Sequence, residues 1–254
     1  MITRARDQAS HLRRLLEAAG AEVLSVPTIR IEPPDSWEPL DSAIGEVEEF
    51  QWVIFTSVNG VDSFRRRLSR IGKDLRALRG ARVAAIGPAT AAALEAGGLL
   101  PEVVPDEYRA EGLVERLRGL IRRGDRVLLP RAAETRDLLV AELERRGARV
   151  TEVPAYRTVA VKEGAEALRS ELKAGRVDLV TFTSSSTARN FARLLDDRER
   201  SALLNGVEVA CIGPVTRDTA AEFGLRTRIM PSEYTIPALV RAIVDYYANK
   251  KGVP

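Results

Sequence analysis

The chain has 254 residues, 45% apolar and 30% charged, enough for one large domain or two ordinary ones with a buried core. Lys+Arg 39 against Asp+Glu 36 leaves a formal +3 with a sequence pI near 9.2, a mild basic bias that suits an acidic small molecule and is too weak to argue for nucleic acid. No apolar run approaches the ~20 residues that cross a bilayer, no secretory leader precedes the first helix, and one cysteine with one histidine excludes a disulfide framework and a Cys/His zinc site and weighs against a His-based triad, so a cytoplasmic protein away from membranes is expected.

In chain order, Met1-Ile2-Thr3 is a short strand ending at Arg4. RDQASHLRRLLEAAG then reads as a helix of about four turns stopped by Gly20, with His11 a solvated helix residue. VLSVPTIRI gives a second strand and a polar segment follows. The strand VIFT, residues 53–56, runs through Thr56-Ser57 into a helix whose Arg65-Arg66-Arg67 suits a solvated face. RVAAIG leads through Gly87-Pro88-Ala89-Thr90 into the next helix, and PEVVPDEY ends a further strand. DRVLLPR opens the same series again: a helix ending in Arg145-Arg146-Gly147, VTEVPAYRT, VTFT into Thr183-Ser184-Ser185-Ser186-Thr187, VEVACIG with a buried Cys211 into Gly213-Pro214-Val215-Thr216, and PSEY before a last helix.

The two series match at nearly constant offset. Arg4 falls on Arg131, Gly20 on Gly147, Pro27 on Pro154 and Thr56-Ser57 on Thr183-Ser184, each 127 residues apart. Gly87 falls on Gly213 and Pro105 on Pro231, each 126 apart. This is a duplicated α/β unit. Continuous apolar strands alternating with helices predict parallel sheets covered on both faces, and two flavodoxin-like doubly wound domains. The first strand is several residues shorter than its copy before Arg131, so either the fold tolerates a stub or the translation start has been placed too late.

Every repeated motif lies where a strand's carboxyl end enters a helix, the place where such sheets bind ligands. Helix N-termini present unpaired N–H groups and attract carboxylates or phosphates. Ser and Thr are also ordinary N-caps, and Pro suits a first helical turn, so each motif alone is explained by capping. The echo of the same loop chemistry in both halves favours binding. No P-loop, dinucleotide fingerprint or G-x-S-x-G elbow occurs, and Glu48-Glu49 and Asp196-Asp197 lie in solvated segments. Tyr156 breaks the repeat, because its counterpart in the first half is Ile29.

TRARDQASHLRRLLEAAGAEVLSVPTIRI, VIFTSVNGVDSF, AAIGPATAAAL, PEVVPDEYRAEGL, VPAYRT, VTFTSSSTARNF and CIGPVT, spanning nearly the whole chain in order, resemble the uroporphyrinogen-III synthase family. The resemblance implies two α/β domains with an interleaved path: 1–31 with 158–254 in one, 36–152 in the other, and antiparallel connector strands near 24–35 and 150–158. It implies conversion of hydroxymethylbilane, which carries eight carboxylates, to uroporphyrinogen III. Water is lost through an azafulvene cation, and ring D is inverted through a spiro intermediate. Neither metal nor organic cofactor is implied, and a monomer suffices. By the same resemblance Tyr156 assists departure of the hydroxyl, and Thr56, Ser57, Thr90, Ser184, Ser185 and Thr216 meet substrate carboxylates. A non-catalytic two-domain protein that closes on an anionic small molecule is the alternative. A phosphosugar isomerase-like module fits less well, since the Thr-Ser-Ser-Ser loop lacks the glycine that lets phosphate approach.

Overall fold

A computed structural model describes residues 1–5, 9–133, 138–161 and 164–251. The first half forms α1 (Ala9–Ala18), β1 (Ile29–Glu32), α2 (Glu38–Gly45), β2 (Trp52–Phe55), α3 (Val58–Arg70), β3 (Arg82–Ala85), α4 (Pro88–Glu95) and α5 (Ala110–Arg116). The second forms β4 (Arg126–Ala132), α6 (Leu138–Arg145), β5 (Arg149–Ala160), α7 (Ala165–Lys173), β6 (Leu179–Phe182), α8 (Ser185–Arg193), α9 (Asp197–Leu203), β7 (Glu208–Cys211), α10 (Pro214–Ala221) and α11 (Ile236–Lys251). The expected starts of the two first helices, around 6–8 and 134–137, lie outside the described residues. Gly20 and Gly147 end these helices with φ of 86° and 87°, a left-handed conformation that suits a residue without a Cβ.

The fold is α/β with mostly parallel sheets, and the chain splits into two compact units: Ile31–Thr158, and Met1–Arg30 with Val159–Pro254. In the first of these the sheet order is β1-β5-β4-β2-β3, with a further parallel bridge from Ala84 in β3 to Val103. All four residues of β2 are buried, and they alternate. Val53 and Phe55 join a core with Leu40, Ile44, Phe64 and Leu68 from α2 and α3, while Trp52 and Ile54 join Leu113, Leu117, Leu139 and Leu143 near α5 and α6. Helices therefore cover both faces, as continuous apolar strands require.

The other unit repeats the plan. Ile2 bridges Ser25 on one side and Thr181 of β6 on the other, β6 pairs with β7, and Ala210 of β7 bridges Ile229, all in parallel. Numbering these strands along the chain gives the spatial order 2-1-3-4-5. The duplication extends to register. The Ile2–Ser25 bridge corresponds to the Leu129–Glu152 pair 127 residues later, and the Ala84–Val103 bridge to Ala210–Ile229, 126 later.

One expectation needs correction. The segment after the second strand, read as merely polar, holds a helix in each half. In α2, Leu40, Ala43 and Ile44 fall at helical spacing behind Pro39 and are buried; in α7, Leu168 and Leu172 do the same. Flanking Pro, Asp and Glu residues masked that short stripe. Tyr156 lies inside β5, which runs on to Ala160.

Candidate active site

The site in the Ile31–Thr158 unit is built around the first turn of α3. Ser57 is its N-cap, with extended backbone (φ −164°, ψ 155°), and its Oγ accepts from the Gly60 N–H at 3.0 Å. The Tyr156 hydroxyl also donates to Ser57 Oγ, at 3.1 Å. Tyr156 is only 8% exposed, so its phenol is a packed group with a protein partner. Its carbonyl accepts from the Ala133 N–H at 2.9 Å, which ties it to the end of β4. Arg131, at that end, is 4% exposed, and its Nη1 lies 3.1 Å from Glu152 Oε2. Arg157, the residue after Tyr156, is exposed and pairs with Asp35 at 2.7 Å and Glu32 at 2.9 Å.

The neighbouring mouth, of α4, opens at Gly87. A Cβ there would lie 3.1 Å from Tyr108 Cβ and 3.3 Å from its Cγ, so the P-x-E-Y loop packs flat on the Gly-Pro-x-Thr loop. Gly213 and Tyr234 repeat this contact, at 3.2 Å. That packing explains why both motifs recur together. Thr90 and Thr216 are the third residues of α4 and α10 and are nearly buried.

In the other unit the hydroxyls are largely occupied. Ser184 caps α8, accepting from the Thr187 N–H at 3.3 Å, and contacts Ser186 Oγ at 3.0 Å; Thr187 Oγ1 donates to the Ser184 carbonyl at 2.7 Å. Ser185 Oγ donates to the Val215 carbonyl at 3.2 Å, which ties the α8 and α10 mouths side by side. Ser57, Ser184 and Ser185 thus serve the fold through their hydroxyls, leaving first-turn N–H groups and the helix dipole to meet an anion. Thr56 and Thr183 are half-buried at the strand ends.

Cys211 closes β7 just before this loop. It is fully buried with its Sγ 3.1 Å from Thr227 Oγ1, and burial pushes its thiol up to about 11. It is therefore a thiol, not a thiolate nucleophile, near neutrality. Among the described residues no group of three or more His, Cys, Asp or Glu could hold a metal ion. The geometry offers paired helix mouths, a pinned phenol and a buried guanidinium.

A family model described as uroporphyrinogen-III synthase HemD matches residues 10–241. The chain belongs to the uroporphyrinogen-III synthase family. Its relatives include the uroporphyrinogen-III synthase of Synechococcus elongatus, 38% identical over 251 residues that cover 97% of this chain and 94% of that protein. The uroporphyrinogen-III synthase of Chlorobaculum parvum is 28% identical, with 96% and 97% covered. A crystal structure of a mutant uroporphyrinogen III synthase from the extremely thermophilic bacterium Thermus thermophilus is similar in fold, with a TM-score of 0.68 at 23% identity and 98% of each chain covered.

Of the residues singled out in the sequence, Ser57 and Tyr156 meet directly, Thr56 adjoins them, and Ser185 reaches the loop that carries Thr216. Arg131, Tyr108 and Tyr234 were passed over. Arg131 was visible only as an anchor of the repeat, and the two tyrosines only as part of a loop motif.

Proposed function

We propose that this chain is a uroporphyrinogen-III synthase: it closes hydroxymethylbilane to uroporphyrinogen III with loss of water and inversion of ring D. The observation that carries the site reading is the Tyr156 phenol, buried and bonded to Ser57 at the mouth of α3. Its hydroxyl is the protein's proton donor to the departing substrate hydroxyl. The mouths of α3, α4, α8 and α10 grip substrate carboxylates through first-turn N–H groups near Thr56, Ser57, Thr90, Ser184, Ser185 and Thr216. Catalysis is mainly positioning: the chain must be folded so that the cation meets the substituted carbon of ring D.

The order 2-1-3-4-5, read along the chain in one unit and by the repeat-equivalent strands in the other, supports reading each unit as a flavodoxin-like domain, one from 1–31 with 158–254 and the other from 36–152. The enzyme works as a cytoplasmic monomer without a cofactor. Supplying enzymatically generated hydroxymethylbilane and resolving the products by chromatography tests the proposal. Isomer III is expected; mostly isomer I, the product of spontaneous closure, would refute it.

A further inference from the structure

We infer that Ser57 is a positioning residue that acts on the reaction through Tyr156; the inference rests on the proposed role of that tyrosine. A serine hydroxyl has two acceptor sites and one hydrogen. Ser57 Oγ uses one acceptor site on the Gly60 N–H, which fixes it to the backbone of α3. Among the described residues its other hydrogen-bond partner is the Tyr156 hydroxyl. The phenol oxygen is thus held by an atom that cannot drift, while the tyrosine backbone is held by Ala133.

The duplication supplies the comparison. Ser184 has the same capping backbone (φ −162°, ψ 158°), and all its partners, Ser186 and Thr187, lie in its own helical turn. Capping therefore requires nothing like the Ser57–Tyr156 bond. The two copies diverge around the cap. Gly60 stands where the other copy has Thr187, Pro130 where it has Thr3, and Tyr156 where it has Ile29. In the second unit Thr28 Oγ1 bridges the Thr3 and Thr187 carbonyls, at 3.2 and 3.3 Å, a role Ala155 cannot fill. The Ser57 copy has given up that internal polar link and turned its cap onto a phenol.

In the structure the phenol donates to Ser57 Oγ; because Gly60 takes up only an acceptor site of that oxygen, the bond can invert, the serine hydroxyl then donating to the phenol oxygen while the Tyr156 proton turns towards the substrate. As the substrate C–O bond breaks, that proton moves to the leaving oxygen and water departs. The phenolate balances the carbon cation and is stabilised by the Ser57 hydrogen bond. Attack by the substituted ring-D carbon, which bears no hydrogen, gives the spiro intermediate; after rearrangement the final C–C bond forms at the unsubstituted ring-D carbon, and the proton lost there restores the phenol.

Ser57→Gly tests this, since glycine caps a helix nearly as well as serine and keeps the protein folded. Expected are a kcat lower by about tenfold or more with KM little changed, no further loss when Ser57→Gly is added to Tyr156→Phe, and recovery in Ser57→Thr. In protein labelled with 13Cζ-tyrosine, the Tyr156 resonance, assigned from Tyr156→Phe, should move in Ser57→Gly. Wild-type turnover in Ser57→Gly beside an impaired Tyr156→Phe would overturn this inference alone. So would a Ser57→Gly loss that persists in full on the Tyr156→Phe background, since that means direct contact with substrate. Wild-type turnover in Tyr156→Phe would overturn the reading of Tyr156 and this inference with it.

Discussion

At Gly60 the backbone of α3 comes so close to β4 that a Cβ would lie 2.8 Å from the Pro130 carbonyl oxygen. The Pro130 carbonyl is backbone and does not yield cheaply, and Ser57 Oγ lies 3.3 Å from the same point. Gly60→Ala should cost about 1–3 kcal/mol in urea unfolding and lower kcat as well, because Ser57 is capped on that same residue. Cys211 offers a test of a different kind. Its folded pKa, raised from 9.0 to about 11, means that its neutral form is the one stabilised by folding. That contribution is complete below pH 9 and is lost as pH rises from about 9 to 11, amounting to about 2–3 kcal/mol. Replacing Cys211 by Ala should flatten this part of the stability–pH curve, and the native thiol should resist Ellman's reagent at pH 8 until the protein is unfolded. Of these features the lone cysteine's burial could be read from its strand neighbours. The Ser57–Tyr156 bond could not, since it joins residues 99 apart whose approach depends on the pairing of β4 with β5. Arg131 was equally hidden, because a basic residue at a strand end gives no local sign of burial.

The elements repeat down to their aromatic packing. Phe55 of β2 meets Phe64 of α3 edge-on at 5.5 Å, and 127 residues later Phe182 of β6 meets Phe191 of α8 at 5.2 Å. All four rings are fully buried, and each pair clamps a strand to the helix whose mouth belongs to the candidate site. Phe64→Ala and Phe191→Ala should each cost about 3–5 kcal/mol, measured by denaturant unfolding, and a value below about 1 kcal/mol at either would deny that pair its role. Strands β2, β3, β6 and β7 and their following helices were plain in the sequence because each apolar run stops at a small polar loop and the second half confirms the first. The α2 and α7 helices were not, since only two or three buried positions mark them. The strands near Val103 and Ile229 are reduced to single bridges, so only the P-x-E-Y motifs beside them were conspicuous.

For the molecule as a whole, the formal +3 charge and the proposed binding of substrate carboxylates at the helix mouths predict capture partly by electrostatics. KM should rise several-fold between about 50 and 500 mM KCl while kcat changes little, because screening weakens capture before it touches a bound and desolvated substrate. A KM indifferent to salt would remove the helix mouths as the carboxylate-binding elements. The protein's proposed work is to fold a flexible tetrapyrrole chain before it closes. Spontaneous closure to isomer I competes continuously with that work, so the most direct measurement is the isomer III share of product as enzyme concentration is varied at fixed hydroxymethylbilane supply. Isomer III is expected to rise with enzyme until it is nearly the whole product, and Tyr156→Phe to need much more enzyme to reach the same share. A product that stays mostly isomer I at every enzyme concentration would contradict it.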